Sequence, residues 1–289
     1  MMLWMASTLI LLILGLGLVA FFTLLERKLL GFSQIRVGPN KLAFSGLLQP
    51  VMDGLKLLTK NMYMPVITQM LLFIGPIISF MVFMIFWVLV LPWNGNFMFR
   101  CSALLMFLML GFSAYSVVIM GWGITSMFSK LGSLRAMLQS LSFEVSLILA
   151  FFMTLIHMNS VNLSNFLTCF EPSITWVFMW IILCLMESNR APFDLLEGES
   201  ELISGFNIEM SSVLFVLVFL SEYGILFCLG MLVSIPFSEG LSGTALFCTS
   251  FMLFVRSCFP RVRYDSLMVL MWQAFLPVVV MLSFQLKFF

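Results

Sequence analysis

Long apolar segments without charges constrain this chain more than any other feature. Residues 3–25 contain no charged side chain, and several later segments are nearly as apolar. A helix that crosses the hydrocarbon core of a bilayer needs about 20 such residues. Charged residues make up 9% of the chain, whereas soluble domains carry roughly 25%. We therefore predict an all-α polytopic membrane protein in which residues 1–289 form a single integral membrane domain.

Eight transmembrane helices are predicted, together with one helix on the membrane surface. The predicted spans are Leu3–Leu25, Val66–Leu91, Ser102–Gly123, Glu144–His157, Pro172–Met186, Met210–Val233, Thr244–Val255 and Leu267–Leu286. In the first connecting segment, Gln49, Asp53, Lys56 and Lys60 recur at helical spacing with apolar residues between them. That pattern is typical of an amphipathic helix lying along the membrane surface. A polar loop with Lys130 and Arg135 is expected between the third and fourth spans.

The lysines and arginines predict how the chain is oriented. Twelve of the fourteen follow the first, third, fifth or seventh span, and only Arg100 and Lys287 lie on the opposite side. Basic residues accumulate on the inner side of a membrane. The odd-numbered loops are therefore expected to face the cytoplasm or the mitochondrial matrix.

Acidic residues are concentrated between Glu187 and Glu209, in ESNRAPFDLLEGESELISGFNIE, which holds six of the chain's thirteen acids. Carboxylates between two apolar spans are costly and mark functional sites by default. The fourth, fifth and seventh spans are predicted to be too short to cross the whole hydrocarbon core. We therefore expect Glu144, Glu187 and Arg256 below the inner surface, lining a polar cavity.

Glu222 lies near the middle of the predicted sixth span. Acids at that depth usually belong to ion or proton paths. The alternative is a structural carboxyl bonded to a neighbouring helix, and Glu144 and Glu187 could each be a helix-end acid that reaches the surface. Taken together, the three predict carboxylates from separate helices that face one interior and titrate as a coupled set.

The remaining polar residues give weaker signals. Arg36 and Lys41 flank a Gly-Pro turn and could contact a ligand or a partner protein equally well, whereas Arg261 and Arg263 are explained by orientation alone. The sequence contains no nucleotide-binding, metalloprotease or nucleophile-elbow motif, and its cysteines lack metal-site spacing. We expect no metal and no cofactor held by this chain alone, so any redox centre would belong to another subunit.

Several segments resemble membrane subunit 1 of NADH–quinone oxidoreductase, respiratory complex I. They are the acidic stretch quoted above, ERKLLGFSQIRVGPN from Glu26, GLLQPVMDGLKLLTK from Gly46, SFE from Ser142, SEY from Ser221 and FPRVRYDSLM from Phe259. They occur in the family's order from Glu26 to Pro277. Met210 stands where the family commonly has Tyr.

The resemblance implies a core membrane subunit that forms part of a ubiquinone cavity and couples quinone reduction to proton translocation. Implied partners are other complex I subunits, namely hydrophilic quinone-site subunits including the one with the terminal iron–sulfur cluster, and small and antiporter-like membrane subunits. No nucleic acid is implied. The implied location is the mitochondrial inner membrane, multi-pass, with the odd-numbered loops facing the matrix.

The resemblance also implies two sets of residues. The quinone cavity is expected to include Arg36, Asp53, Arg190, Asp194 and Phe206. The proton relay is expected to include Glu144, Glu187, Glu197, Glu199, Glu201, Glu209 and Glu222.

Three other functions are alternatives to this one. A stand-alone ion or proton antiporter would act without partners and would contain inverted repeats, and the sequence shows no repeat. The related subunit of membrane-bound hydrogenases would not deliver electrons to quinone. A purely structural scaffold would leave the interior carboxylates without a use.

Overall fold

The computed structural model shows an all-helical chain and describes residues 2–42, 44–61, 69–90, 101–158, 174–194, 209–210, 212–234 and 241–288. The α-helices in these ranges are α1 (Met2–Ser33), α2 (Gln49–Leu58), α3 (Gln69–Val90), α4 (Ser102–Gly123), α5 (Met127–Met158), α6 (Ile174–Glu187), α7 (Ser212–Ser234), α8 (Leu241–Cys258), α9 (Tyr264–Leu270) and α10 (Leu276–Phe288). A π-helical turn, Met271–Phe275, joins α9 to α10.

Six segments of the described chain are long and apolar enough to cross a membrane. They are Thr8–Ser33, Met70–Val90, Ser102–Gly123, Met127–Ile156, Ser212–Ser234 and Tyr264–Leu282. Two shorter apolar helices, Thr175–Glu187 and Gly243–Cys258, correspond to the predicted fifth and seventh spans. The polytopic helical class is confirmed, and the number of eight spans stays a prediction.

The fourth predicted span was wrong in its start. We expected a polar loop with Lys130 and Arg135 and a short span from Glu144, but α5 is one 32-residue helix that includes all three. Its serines are accommodated within the helix, and their hydroxyls donate to carbonyls one turn back. Glu144 is therefore a mid-helix residue, and the argument from a short fourth span does not apply to it.

Two other helices are also longer than expected. α1 continues past Leu25 to Ser33, because Glu26 is buried against a neighbouring helix instead of marking the end of the apolar segment. α8 extends three residues beyond each predicted end, from Leu241 to Cys258, and so includes Arg256. In both helices a charged residue is tolerated because another charged side chain pairs with it.

The predicted surface helix corresponds to α2, which begins with Pro50 in its first turn and contains no buried residue. Pro is favourable there because its missing N–H would have no helical partner anyway. Val51, Met52 and Leu55 are exposed, and Asp53 pairs with Arg27 of α1. The position of α2 on a membrane surface stays a prediction.

α7 is the helix most surrounded by others, because it contacts α1, α2, α3, α6 and α8. Gly224 allows its close approach to α3, since a Cβ there would overlap the ring of Phe83. Phe227 of α7 packs against Phe22 of α1 and Trp87 of α3. The fold therefore places Glu222, which is on α7, among several packed helices.

Candidate functional site

A cavity with both polar and apolar lining residues lies between α3, α4, α5, α6 and α7. Its wall includes the side chains of Glu187, Asn189 and Glu222, and six serines: Ser79, Ser113, Ser116, Ser140, Ser188 and Ser221. The volume open to the centre of a water molecule is about 60 Å³. Roughly 10–15 Å³ is enough for one water, so the cavity has room for several.

The serines give this cavity a particular chemistry. Each of the six hydroxyls donates a hydrogen bond to a carbonyl three residues earlier, over 2.6–3.0 Å. A hydroxyl has one proton to donate and two lone pairs that accept. The serine oxygens therefore present acceptors to the cavity, which suits water or a protonated carboxyl as the neighbouring donor.

Glu187 is the last residue of α6 and is 7% exposed. Its Oε2 accepts no hydrogen bond within the part of the chain that the structure describes. Glu144 of α5 is close enough to repel its charge and lies against Gly111 of α4, where a Cβ would be 2.9 Å from its Oε1. The structure thus brings together two carboxyls that the sequence placed on separate helices.

Glu222 has a different environment. Arg190 donates from Nη2 to its Oε2 over 3.2 Å, and the Arg190 side chain is 8% exposed. The same guanidinium lies 4.2 Å from the ring centroid of Tyr223 and 5.8 Å from that of Phe219. The structure thus pairs Arg190, which was expected at the quinone cavity, with Glu222; its place at that cavity stays a prediction.

The segment from Arg190 to Asp194 is held by contacts from α5 and from the segment between α8 and α9. Gln139 of α5 donates to Phe193 O over 2.9 Å, the Val262 N–H donates to Pro192 O over 3.0 Å, and Arg261 donates to Asp194 over 3.1 Å. Asp194 is buried. Arg261 therefore has a partner inside the protein, and orientation alone does not explain its presence.

The first connecting segment carries two more of the predicted residues. Asp53 accepts from Arg27 over 2.7 Å and from Gln49 over 2.8 Å, so this carboxylate joins α2 to the end of α1. Arg36 is exposed, and its backbone N–H bonds to Gly31 O over 2.9 Å. An exposed guanidinium at this position is available to a partner or a ligand.

Glu209 closes a junction between helices that are distant in sequence. Its carboxylate accepts from the backbone N–H of Thr125 at 2.9 Å, from that of Ser126 at 2.7 Å and from the Thr125 hydroxyl at 3.0 Å. Partial burial alone would raise the pKa of Glu209, but these hydrogen bonds outweigh that effect and lower the pKa. Glu209 is thus held as an anion just before α5 begins.

Sequence reasoning missed the ion pair between Glu26 of α1 and Arg256 of α8. The Glu26 side chain is 4% exposed and that of Arg256 is 27% exposed. One signal was available in the sequence. Residues 26–60 carry six bases and only two acids, Glu26 and Asp53, so an acid directly after the first apolar span is unusual. Four predicted residues, Glu197, Glu199, Glu201 and Phe206, lie outside the described residues.

Comparison with known proteins decides the family. A model of the NADH dehydrogenase family matches residues 6–286. The chain belongs to this family. A protein named NADH-ubiquinone oxidoreductase chain 1 from Aedes aegypti is 39% identical over 277 residues, which cover 90% of this chain and 87% of that protein.

Relatives from distant animals carry the same name. The protein from Heterololigo bleekeri is 40% identical over 283 residues, covering 90% of this chain and 89% of the relative. The one from Papio hamadryas is 37% identical over 296 residues, covering 96% and 93%. Membership of the NADH dehydrogenase family therefore rests on nearly the full length of this chain.

Proposed function

We propose that this chain is a core membrane subunit of a proton-pumping NADH:ubiquinone oxidoreductase. In this role it forms part of the quinone cavity and connects quinone reduction to proton movement through its interior carboxylates. The observation that carries the proposal is the serine-lined cavity, to which α6 and α7 contribute Glu187 and Glu222. A cavity between helices that carries two acids and six serines is expected of a proton path and has no evident use in a scaffold.

Redox chemistry in this proposal belongs to neighbouring subunits. Ubiquinone is the substrate, and the hydrophilic subunits, including the one with the terminal iron–sulfur cluster, deliver the electrons. This chain contributes Arg36, Asp53, Arg190, Asp194 and Phe206 to the quinone side. The buried carboxylate of Asp194 and its partner Arg261 support the placement of charge there.

The relay is proposed to begin at Asp194, Glu197, Glu199 and Glu201 and to continue inward through Glu187, Glu144 and Glu222. The short segment from Arg190 to Asp194 supports this direction, because it connects Asp194 with the arginine that pairs with Glu222. Reduction of quinone creates a demand for protons, and closely spaced carboxylates respond collectively to such a change.

Glu209 is assigned to the relay as the group that anchors its inner-side surface. Its hydrogen bonds to Thr125 and Ser126 fix the junction between α4 and α5 beside the start of α7. Both Glu144 and Glu222 are on helices that meet at this junction. The anchor therefore supports the positions of two relay carboxylates.

The surroundings follow from the same proposal. The protein is expected in the mitochondrial inner membrane with eight spans, and its odd-numbered loops face the matrix. Small and antiporter-like membrane subunits are the proposed partners within the bilayer. α2 is expected on the matrix surface, where its exposed Val51, Met52 and Leu55 would meet lipid or a neighbouring subunit.

Purification of the native assembly tests the proposed class. We expect this chain to co-purify with flavin- and iron–sulfur-containing subunits that reduce ubiquinone with NADH. Isolation as a single chain that exchanges ions in vesicles would instead support the stand-alone antiporter. Co-purification with a hydrogen-evolving assembly would support the hydrogenase-related subunit.

A substitution tests the quinone side separately. Arg36→Ala in the assembled enzyme is expected to weaken the apparent affinity for ubiquinone. Arg263→Ala is the matched control, because Arg263 is a similarly exposed arginine paired only weakly, over 3.5 Å, with the exposed Asp265. Equal quinone affinities in the two variants would remove Arg36 from the cavity.

A further inference from the structure

The two carboxylates of the cavity differ in how their charge is compensated. Glu222 has a buried arginine on its Oε2, whereas Glu187 Oε2 has no donor within the described residues. Glu144 adds a repulsive negative charge on the side of Glu187. Among the described residues, Arg190 therefore compensates the charge of Glu222 and leaves Glu187 Oε2 without a hydrogen-bond donor.

The charged groups around the cavity can be assigned helix by helix. α3 and α4 contain no Asp, Glu, Lys or Arg, and the polar residues that they contribute to the wall are serines. α5 contributes Glu144, α6 contributes Glu187 with the nearby thiol of Cys184, and α7 contributes Glu222 and Tyr223. Arg190 is the guanidinium that reaches this set from the segment after α6.

Arg190 is well suited to hold one carboxylate in its charged form. A guanidinium stays protonated in proteins, so it cannot neutralise its partner by giving up a proton. Stacking on Tyr223, the residue that follows Glu222, fixes it at 4.2 Å from that ring. A carboxylate bonded to such a cation keeps its charge, whereas a buried carboxyl next to another acid takes a proton.

We propose that Arg190 is a positioning residue that keeps Glu222 anionic at rest, so that the exchangeable proton of the cavity resides on Glu187. The assignment rests on the proposed relay and specifies its resting state. It also gives Glu187 a donor, whose natural acceptors are the serine oxygens and the waters that the cavity can hold.

The assignment gives the neighbouring segment a role in the relay. Arg190 and Asp194 are four residues apart, and Asp194 is tied to Arg261. Movement of this segment away from α7 would uncover Glu222 and raise its demand for a proton. Glu187, which lines the same cavity, would then be the acid that supplies the proton.

Infrared spectroscopy of the assembled enzyme in its membrane tests where the protons are. The carbonyl stretch of a protonated carboxyl is counted at neutral pH by comparing each variant with the parent enzyme. Glu187→Gln should remove one such band, and Glu222→Gln should remove none. Loss of a band from Glu222→Gln, or no loss from Glu187→Gln, overturns the assignment.

The role of Arg190 is tested on the same signal. Arg190→Gln should add one carbonyl band, which disappears again when Glu222→Gln is introduced with it. Arg190→Lys keeps a cation and is the matched control, with no band added. If Arg190→Gln adds no band the positioning role is refuted, and if that variant does not assemble, the two glutamate variants decide the assignment alone.

The bands report proton positions only, and proton pumping is measured on the same preparations. Retained pumping in Glu187→Gln together with loss of its band would refute the relay and leave the assignment intact. Lost pumping in Glu187→Gln together with loss of a band in Glu222→Gln would refute the assignment and leave the relay intact.

Discussion

Removing the cation of the Glu26–Arg256 pair should destabilise the subunit more than removing the whole pair. Arg256→Met keeps the length of the side chain and leaves the Glu26 carboxylate, 4% exposed, without its cation. Breaking a buried ion pair in this way typically costs about 3–5 kcal/mol. Arg261 repels Arg256, so part of that cost is offset and we expect the lower end, about 3 kcal/mol.

The double variant Glu26→Gln/Arg256→Met removes both charges. Replacing a buried pair by neutral groups of similar size is often close to neutral. The expected order of stability is therefore the parent and the double variant close together, with Arg256→Met well below both. This order distinguishes an uncompensated buried charge from a simple loss of packing.

The half-life of the assembled complex at a fixed elevated temperature measures the effect. A rate changes tenfold for about every 1.36 kcal/mol of activation free energy. If the whole loss of about 3 kcal/mol lowers the barrier to dissociation, the half-life shortens by roughly 100-fold. The exposed pair Arg263–Asp265, with side chains 78% and 77% exposed, serves as the control. Exposed pairs contribute little, so Arg263→Met should leave the half-life nearly unchanged. A double variant as unstable as Arg256→Met would refute the reasoning.

Two further predictions concern relay residues. Gly111→Ala places a Cβ about 2.9 Å from Glu144 Oε1, so it should displace Glu144 and slow coupled pumping. Gly17→Ala, whose Cβ would meet nothing within 4 Å, is the control and should pump like the parent. Equal pumping rates in the two variants would contradict the contact. Because hydrogen bonds lower the pKa of Glu209, the stability it contributes is present above the ordinary glutamate pKa and is lost as the pH falls through the lowered one. The stability difference between the parent and Glu209→Gln, followed by thermal dissociation across that pH window, should shrink on acidification, and a constant difference would refute the anchor.

The sequence predicts a helix best where the helix is a single uncharged apolar segment. α4 appears at Ser102–Gly123, as the apolar pattern predicts. α5 was cut short in the prediction because Lys130 and Arg135 look like a loop in a one-dimensional pattern. In the structure they occupy the polar first turns of a helix that continues across the predicted loop.

In the candidate site, the sequence identifies single charged residues but not the ion pairs that they form. Hydropathy identifies Glu222 as an interior acid, because any charge inside an apolar span is conspicuous. Its partner Arg190 is 32 residues away, and the pairing was not predicted because sequence distance does not show which face of a packed segment meets another. Glu26 and Arg256 are 230 residues apart, so their pairing depends on how α1 packs against α8.

Quinone-coupled proton pumping by Glu187→Gln tests the central claim most directly. The variant keeps the size of the side chain and removes its ability to carry a proton. Losing a proton-transfer group typically costs about 10²- to 10⁴-fold, so coupled pumping in the assembled enzyme should fall by at least about 10²-fold. Asp265→Asn, an exposed carboxylate outside the cavity, should pump like the parent. Full quinone-coupled pumping by Glu187→Gln would contradict the account.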